Sequence, residues 1–282
     1  MRSWAAVVAA VALPAASGFA ASNAYALPVR PGTERPVPSP LTDHFAFRGS
    51  FFTASPDTQI RLDASNGTTG TVVSGEDDFA LDDHIDQGRI ELTFHVGKTQ
   101  RNKLRVDYFK TSRYGDTVLN RTLNFGDGPF NVNERVVSSI DLRMLSFTDT
   151  YALFRSERFE TSFGLGIHVL DADARGQVPA RQRNEEASGA GAFPTFALDS
   201  TYLITPRLAL TGRAQYFSTT AGDFSGLLSD FHGDVQFRWR PNMAFGLGYS
   251  ATKISLDVQK DDFPGRFALT ARGPEAFVRV SF

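Results

Sequence analysis

The sequence predicts an all-β fold, a transmembrane antiparallel up-and-down β-barrel of about ten strands, with about eight to twelve compatible with the pattern. Three observations predict it: segments of about ten residues that alternate apolar and polar side chains, connections that alternate between short and long, and an amino-terminal export signal. The composition agrees, because 25 Phe and 24 Gly against 3 Met favour strands and turns. A mean hydropathy of −0.21 is compatible with such a barrel, since each strand averages a lipid-facing and an inward-facing side.

The amino-terminal segment has the tripartite order of a secretory signal. Arg2 precedes an apolar run from Trp4 to Pro14, and Ala24, Tyr25 and Ala26 fit the small-x-small cleavage pattern. We therefore expect a signal peptide at 1–26, a Pro-rich periplasmic leader at 27–43 and the barrel at 44–282.

Composition and charge exclude several classes of function. The chain has no Cys, which excludes disulfides, thiol catalysis and cysteine zinc sites. A formal charge of −2 gives no general case for binding nucleic acid. No apolar run after Leu27 approaches the roughly 20 residues that a membrane-spanning helix needs.

The alternation identifies the strands. In "RIELTFHV", Ile90, Leu92 and Phe94 share one side, and Glu91 and His95 share the other. The same period occurs in "LRVDYF", "FGLGIHV", "LALTGRAQY", "FHGDVQFRW" and "MAFGLGYSA". A helix would place charges on every face of these segments. The segment from Ile140 to Phe154 is also predicted as a strand, but Asp141, Arg143 and Asp149 make its facing ambiguous.

Nine strands follow from this pattern, and a first strand brings the number to ten. The nine are expected at about 88–97, 103–114, 139–154, 158–171, 191–204, 206–218, 229–240, 243–257 and 265–282. The first strand lies between Phe45 and Asp63, and Pro56 within it predicts a bulge. Two strands in that region plus "GTVVSG" would give twelve, but ten is preferred.

The connections are of two lengths. Short ones are expected at 97–103, 155–158, 205–207 and 240–242, and long ones at 115–138, 171–190, 218–228 and 258–265. Short periplasmic turns opposite long extracellular loops are typical of outer-membrane barrels. A soluble sandwich or lipocalin-like barrel has no reason for this sorting.

The polar sides of the strands carry charges of both signs, which a narrow lumen would bring close enough to pair. We expect a polar network inside the barrel, formed by Glu91, His95, Arg105, Asp107, His168, Asp199, Arg213, His232, Asp234, Arg238 and Arg279. Such a network argues against a wide general porin.

The end of the sequence, "PEAFVRVSF", places Val278, Val280 and Phe282 on one side of the last strand. This tail resembles the carboxy-terminal signature of bacterial outer-membrane barrels, which the barrel-assembly machinery recognises. The resemblance implies that Phe282 is an assembly signal and that this machinery is a partner. "GTVVSGEDDFALDD", "YFKTSRYGDTVLNRTLNFGD" and "GLGIHVLDAD" resemble uncharacterised proteobacterial outer-membrane β-barrel proteins, and the architecture is similar to OmpW-like and OmpA-like small barrels.

An acidic stretch, "GEDDFALDDHID", offers a second candidate site. Its carboxylates are hard oxygen ligands, although the spacing of an EF-hand is absent. Contact with a cation, contact with lipopolysaccharide phosphates and a solvated loop all remain open for Glu76, Asp77, Asp78, Asp82, Asp83 and Asp86.

Three functions remain after these considerations. The first is a non-enzymatic structural or binding role in the bacterial outer membrane, exerted through long extracellular loops. The second is a narrow channel for small or apolar solutes, and the third is a lipid-modifying enzyme that uses Ser and His. No Ser–His motif occurs in the sequence, so no enzyme, catalytic residue or cofactor is expected; the metal and the oligomeric state stay open. The expected partners are outer-membrane lipid, lipopolysaccharide and the assembly machinery, without nucleic acid.

Overall fold

The structure, a computed structural model, describes residues 40–282 except 65, 67, 98, 125, 127, 182 and 260–264. The predicted signal peptide and most of the predicted leader lie outside the described residues. The described elements are β1 (Phe45–Leu62), β2 (Val73–Ser74), β3 (Ile85–Val96), β4 (Asn102–Val118), β5 (Leu123–Asn124), β6 (Pro129–Phe130), β7 (Arg135–Arg155), β8 (Phe159–Val178), a 3-10 turn (Pro179–Arg181), β9 (Arg183–Thr205), β10 (Leu208–Ala221), β11 (Phe224–Arg240), β12 (Met243–Val258) and β13 (Gly265–Ser281).

Ten of these strands form one closed antiparallel barrel, which confirms the predicted fold class. Each long strand pairs with its neighbours in chain order, and β13 closes the sheet against β1. Following paired residues once around the barrel from Phe45 returns to β1 at Asp57, twelve positions further along. This stagger is the shear that tilts the strands against the barrel axis.

The bulge predicted at Pro56 is wrong. The register between β1 and β13 is constant from Ala46 to Leu62, and Pro56 faces Ala271 within it. Pro56 lies where pairing with β3 has ended at Ala54 and pairing with β2 has not begun. Its missing N–H therefore interrupts no ladder with those strands, and no extra residue is needed.

Two of the predicted long loops are also wrong, because the strands continue through them. β8 and β9 are paired as far as Val178 and Arg183, and β10 and β11 are joined by a turn at Gly222 and Asp223. The predicted loops at 171–190 and 218–228 are thus mostly sheet. Residues 260–264 lie outside the described residues, so the loop predicted at 258–265 stays a prediction.

The remaining excursions fold into the mouth of the barrel opposite the short turns. Residues 63–84 contribute β2, and residues 119–134 contribute the β5–β6 hairpin. Their apolar side chains pack with those of the surrounding strands. We call this set the mouth cluster: Ile60, Leu62, Val73, Phe79, Leu81, Leu119, Leu123, Phe130, Val136, Ile140 and Val178, all buried.

One glycine is required for this packing. Gly115 on β4 forms a bridge with Leu81, and a Cβ atom there would lie 2.1 Å from the carbonyl oxygen of Phe79. Any other residue would push the segment 79–81 away from the wall, since that oxygen belongs to the backbone.

The outward side of the barrel is an apolar belt. Exposed Phe, Leu, Ile, Val and Tyr side chains alternate with buried polar ones on every long strand, as at Ile90, Tyr108, Leu165, Phe196 and Leu247. Asp149 is the one charged side chain that faces outwards inside this belt among the described residues. Asp141, Arg143 and Asp149 all face outwards on β7, which resolves the predicted ambiguity, and the first two lie beyond the belt.

An aromatic girdle marks the edge of the belt beside the short turns. Its members lie within the first few residues of that end of each strand: Phe45, Phe94, Tyr151, Phe154, Phe159, Tyr202, Phe237, Trp239, Phe245 and Phe282. Phe282 closes the seam: its N–H donates to the Phe45 carbonyl at 2.9 Å, and its ring stacks on Phe45 at 6.2 Å. Girdles of this kind lie at membrane interfaces.

The opposite edge of the belt is marked by charge. Lys110, Arg143, Lys253 and Arg272 are exposed and face outwards there on four different strands. Arg272 and Phe282 are ten positions apart on β13 and its end. At about 3.3 Å per residue and a tilt of about 40°, that length spans about 25 Å, the height of the apolar band of outer-membrane barrels.

Candidate functional site

The lumen is the candidate functional site, because it collects most of the buried charge. Strand alternation turns every second side chain inwards, and in the belt region those inward residues are mostly polar. The structure places the predicted network residues here: Glu91, His95, Arg105, Asp107, His168, Asp199, Arg213, His232, Asp234 and Arg238 are buried, and Arg279 is partly buried. They are distributed over layers along the barrel axis.

The layer at the short-turn end is centred on Asp43. Its carboxylate accepts a hydrogen bond from Arg238 at 2.7 Å and lies 3.2 Å from Arg279 Nη2. Arg238 also donates to the Pro241 carbonyl at 2.6 Å and to Ser281 at 3.1 Å. This layer ties the segment before β1 to the turn between β11 and β12. Asp43 belongs to the predicted leader at 27–43, and this contact was therefore not predicted.

The next layer consists of alternating charges. Arg48 donates to Asp234 at 2.8 Å and to Glu275 at 2.9 Å, and its guanidinium lies 3.6 Å from the centroid of Phe277. Arg105 and Lys103 both reach Asp199, at 2.8 and 2.9 Å. Arg213 pairs with Glu91. Because every one of these charges has a partner of opposite sign, the layer is tolerable at this depth of burial.

Arg48, Lys103 and Glu275 were not among the predicted lumen residues. The alternation of side chains does place Arg48 and Glu275 on the inward side. Arg48 alternates with outward-facing Phe47 and Phe51, and Glu275 shares the inward register of Arg279. The ambiguous first strand kept this register from being assigned.

A third layer contains two histidines. His232 lies between two carboxylates, with Nε2 at 3.0 Å from Asp230 and Nδ1 at 3.2 Å from Glu275, and Arg89 contacts the same ring. Thr252 donates to Asp230 at 2.5 Å. The layer is therefore a closed hydrogen-bonded group, in which the imidazole ring links two carboxylates.

His168 belongs to a second group in this layer. Its Nε2 lies 2.8 Å from Gln215 Oε1 and its Nδ1 lies 2.9 Å from Ser146 Oγ. Since the amide oxygen only accepts, Nε2 is the donor in that bond, and the Ser146 hydroxyl lies within hydrogen-bond distance of Nδ1. Asp107 Oδ1 is 3.5 Å from the same hydroxyl. No sequence motif contains this Ser–His pair, because Ser146 and His168 are cross-strand partners on β7 and β8.

An apolar seal lies between these polar layers and the mouth cluster. It is formed by buried side chains from seven strands: Phe109, Leu142, Met144, Leu170, Phe193, Leu228, Ile254 and Leu269. Two small cavities lie inside the barrel, one of about 60 Å³ beside His95 and Arg105 and one of about 20 Å³ beside the mouth cluster. The barrel thus reverses its polarity: polar inside at the level of the belt, apolar inside beyond it.

The acidic stretch does not form one site. Glu76 accepts from Arg113 at 2.7 Å, Asp78 binds Arg121 through two hydrogen bonds, and Asp83 pairs with His84 at 3.0 Å. The Asp82 carbonyl accepts from Arg113, while Asp77 and Asp86 are exposed. Burial raises the pKa of Asp78, but the hydrogen bonds from Arg121 and from the Ser74 backbone, together with the charge of Arg121, outweigh it, so the net pKa is lowered. Among the described residues, no three His, Asp or Glu side chains are grouped closely enough for a metal ion.

In the described part of the chain, no helix is long and apolar enough to cross a membrane. No protein-family profile matches the sequence, and no curated protein matches it.

Solved structures, in contrast, give matches. The outer-membrane protease OmpT of Escherichia coli has a TM-score of 0.51 at 11% identity, with 84% of this chain and 96% of OmpT covered. Ail, the attachment invasion locus protein of Yersinia pestis, has a TM-score of 0.35 at 9% identity over 83% of this chain and 99% of Ail. The toluene transporter TodX of Pseudomonas putida has 0.34 at 7% identity, over 85% and 90%. The similarity to OmpT shows a shared barrel fold and not a shared activity. The chain has the fold of an integral outer-membrane β-barrel.

Proposed function

We propose that this protein is a non-conducting, non-enzymatic barrel of the bacterial outer membrane, which serves the envelope as a structural or binding element through its folded extracellular end. The apolar belt supports the membrane location, since its height and its aromatic girdle suit a bilayer. The short turns then face the periplasm, and the mouth cluster lies outside the cell.

The observation that carries the proposal is the filled lumen. Paired charges occupy it at the level of the belt, and the apolar seal closes it above them. An ion would have to leave its water to pass the seal, because the seal offers no polar groups in return. A small apolar solute would meet the charged layers instead. Both kinds of solute are therefore blocked within one pathway.

The Ser146–His168 pair does not favour hydrolysis. Both side chains are fully buried, and neither interior cavity is lined by them. In a hydrolase the second ring nitrogen is oriented by a carboxylate, whereas here it binds the Gln215 amide oxygen, which also accepts from Thr148 and Thr195. The geometry favours a structural hydrogen-bond network.

The extracellular end supports a binding role because its described segments pack on one apolar cluster. Its interior is the mouth cluster, and its exterior carries exposed Val72, Tyr114, Val118 and Val132. Apolar side chains fixed on a folded end are suited to contact with another macromolecule.

Conductance measurements test the closed lumen. We expect the purified protein to leave the current of a planar bilayer at its baseline, in a membrane where a general porin gives clear steps. Stepwise conductance that depends on protein concentration would contradict the proposal and favour a narrow channel. If the protein releases fatty acid from radiolabelled lipid and Ser146→Ala abolishes that release, the result would instead favour an enzyme.

Assembly by the barrel-assembly machinery is a separate proposal, which rests on Phe282. Phe282→Ala keeps the backbone seam and removes a side chain worth at most about 1.5–3 kcal/mol of burial. We expect refolding in detergent micelles to survive while the outer-membrane level in cells falls much further. Phe94→Ala is the matched control, since Phe94 lies in the same girdle and its ring contacts Phe45 at 5.0 Å. An equal fall of both quantities, or the same loss in the control, would make Phe282 a packing residue only.

A further inference from the structure

One cavity lies on the outside of the barrel. It is a groove of about 930 Å³ that crosses the belt from β11 to β4. Two outward-facing glycines, Gly49 and Gly88, lower its floor. Its outward-facing walls are almost entirely apolar: Phe51, Ile90, Tyr108, Val235, Phe237, Phe245, Leu247, Ala276 and Val278. A groove with these walls at this depth is shaped for hydrocarbon chains.

Basic side chains border the groove at the edge of the belt away from the aromatic girdle. Lys110 lines the groove itself, and Arg143 is its cross-strand partner on β7. Arg272 lies outwards on β13, four residues beyond Ala276 in the groove. Arg143 pairs with Asp171 at 3.2 Å, whereas no ion pair of Lys110 or Arg272 occurs among the described residues. Asp86 on β3 lies between Lys110 and Arg272. Its single negative charge reduces the positive charge at this edge but does not cancel it.

The spacing of these cations is set by the sheet. β13, β1, β3 and β4 are consecutive, so three strand spacings separate Arg272 from Lys110. At about 4.8 Å per spacing, the two strands are about 14 Å apart. One phosphate cannot bridge that distance, but a head group that carries two phosphates on a disaccharide can contact both cations.

We propose that the groove binds lipid A, the membrane anchor of lipopolysaccharide, with its acyl chains in the groove and its two phosphates at Lys110–Arg143 and at Arg272. The inference rests on the proposed membrane location and deepens it. Lipid A fits because it combines several acyl chains with two phosphates, and because these cations lie at the extracellular edge of the belt. Charge-assisted hydrogen bonds from Lys and Arg to phosphate are among the stronger polar contacts. The proposal therefore assigns lipopolysaccharide contact to the outer wall of the barrel, whereas the sequence suggested the acidic stretch.

Binding of purified lipid A to the protein in detergent tests the proposal, with native mass spectrometry as the readout. We expect Lys110→Ala/Arg272→Ala to weaken binding about 25-fold, since each cation at a lipid surface contributes about five-fold. Arg266→Ala is the matched control, because Arg266 is also exposed on β13 and lies six residues further from the belt. It should bind as the unaltered protein does. Dephosphorylated lipid A and phosphatidylglycerol are the ligand controls, and both should bind more weakly.

Three outcomes would overturn the proposal. The first is unchanged binding in a double variant that unfolds at the same temperature as the unaltered protein. The second is equal binding of phosphatidylglycerol, which has a single phosphate. The third is a protein dimer that covers the groove and carries no lipid. Insertion into vesicles and bilayer conductance are measured on the same preparations. If the protein inserts into vesicles and gives no conductance but does not bind lipid A, only this inference is contradicted, and the proposed function stands.

Discussion

Replacing Arg48 by methionine should lower the free energy of unfolding by about 3–5 kcal/mol, the usual cost of breaking a buried ion pair from one side. Arg48 is the shared partner of Asp234 and Glu275, and the side chains of all three are at least 92% buried. Methionine fills much of the volume but leaves two carboxylates without this donor. It also removes the cation over the Phe277 ring.

Urea unfolding in micelles measures this loss. Trp239 lies in the aromatic girdle, and the other tryptophan, Trp4, belongs to the predicted signal peptide. The fluorescence of the processed protein should therefore report on a single site at the membrane edge. Fluorescence and far-ultraviolet circular dichroism should give the same midpoint if the transition is two-state.

Two further variants distinguish a lost charge from a lost side chain. Arg143→Met breaks the exposed pair with Asp171 and should cost no more than about 1 kcal/mol. Arg48→Met combined with Asp234→Asn and Glu275→Gln should recover more than half of the loss, since neutral amides need no cation. If Arg48→Met and Arg143→Met cost the same, the charged layer does not contribute to stability in the way inferred.

Arginine in place of Phe231 should destabilise the inserted barrel by about 2–4 kcal/mol more than alanine at that position, whereas at Phe237 the difference should be about 0–1 kcal/mol. Both phenylalanines face outwards on β11 and are similarly exposed, at 48% and 42%. Phe237 lies in the girdle, where a long side chain reaches water and head groups. Phe231 is six residues further into the belt, near its middle, where the charge has no such escape.

Comparing arginine with alanine at each position removes the contribution of the ring, including the contact of Phe237 with Phe245 at 6.3 Å. Reversible refolding into phospholipid vesicles supplies the free energies. Equal differences at the two positions would show that the belt is not oriented across a bilayer as inferred. The same substitutions in detergent should differ less, because a micelle adapts to the charge.

The sequence by itself determined the period and the two faces of the strands, and it limited their number to about ten. Glu91, Arg213, His232 and Arg238 could be assigned to the inside because each alternates with an apolar neighbour, and alternation depends only on backbone geometry. The position of Phe282 on the outward side of the last strand could be predicted for the same reason. These features are local, so a short segment of chain contains all the information they need.

Only the tertiary structure decided which strands continue, what fills the lumen and where the cations meet the groove. The strands extend through 171–190 and 218–228 because their inward side turns apolar and their outward side polar beyond the belt, a reversal that weakens the pattern of a membrane strand. The pairing of Ser146 with His168 and of Lys110 with Arg143 depends on register between strands. Arg48 meets Asp234, 186 positions away, only because closure brings β1 across the lumen from β11. Contacts of this kind are set by the shear of the closed sheet, which no single segment encodes.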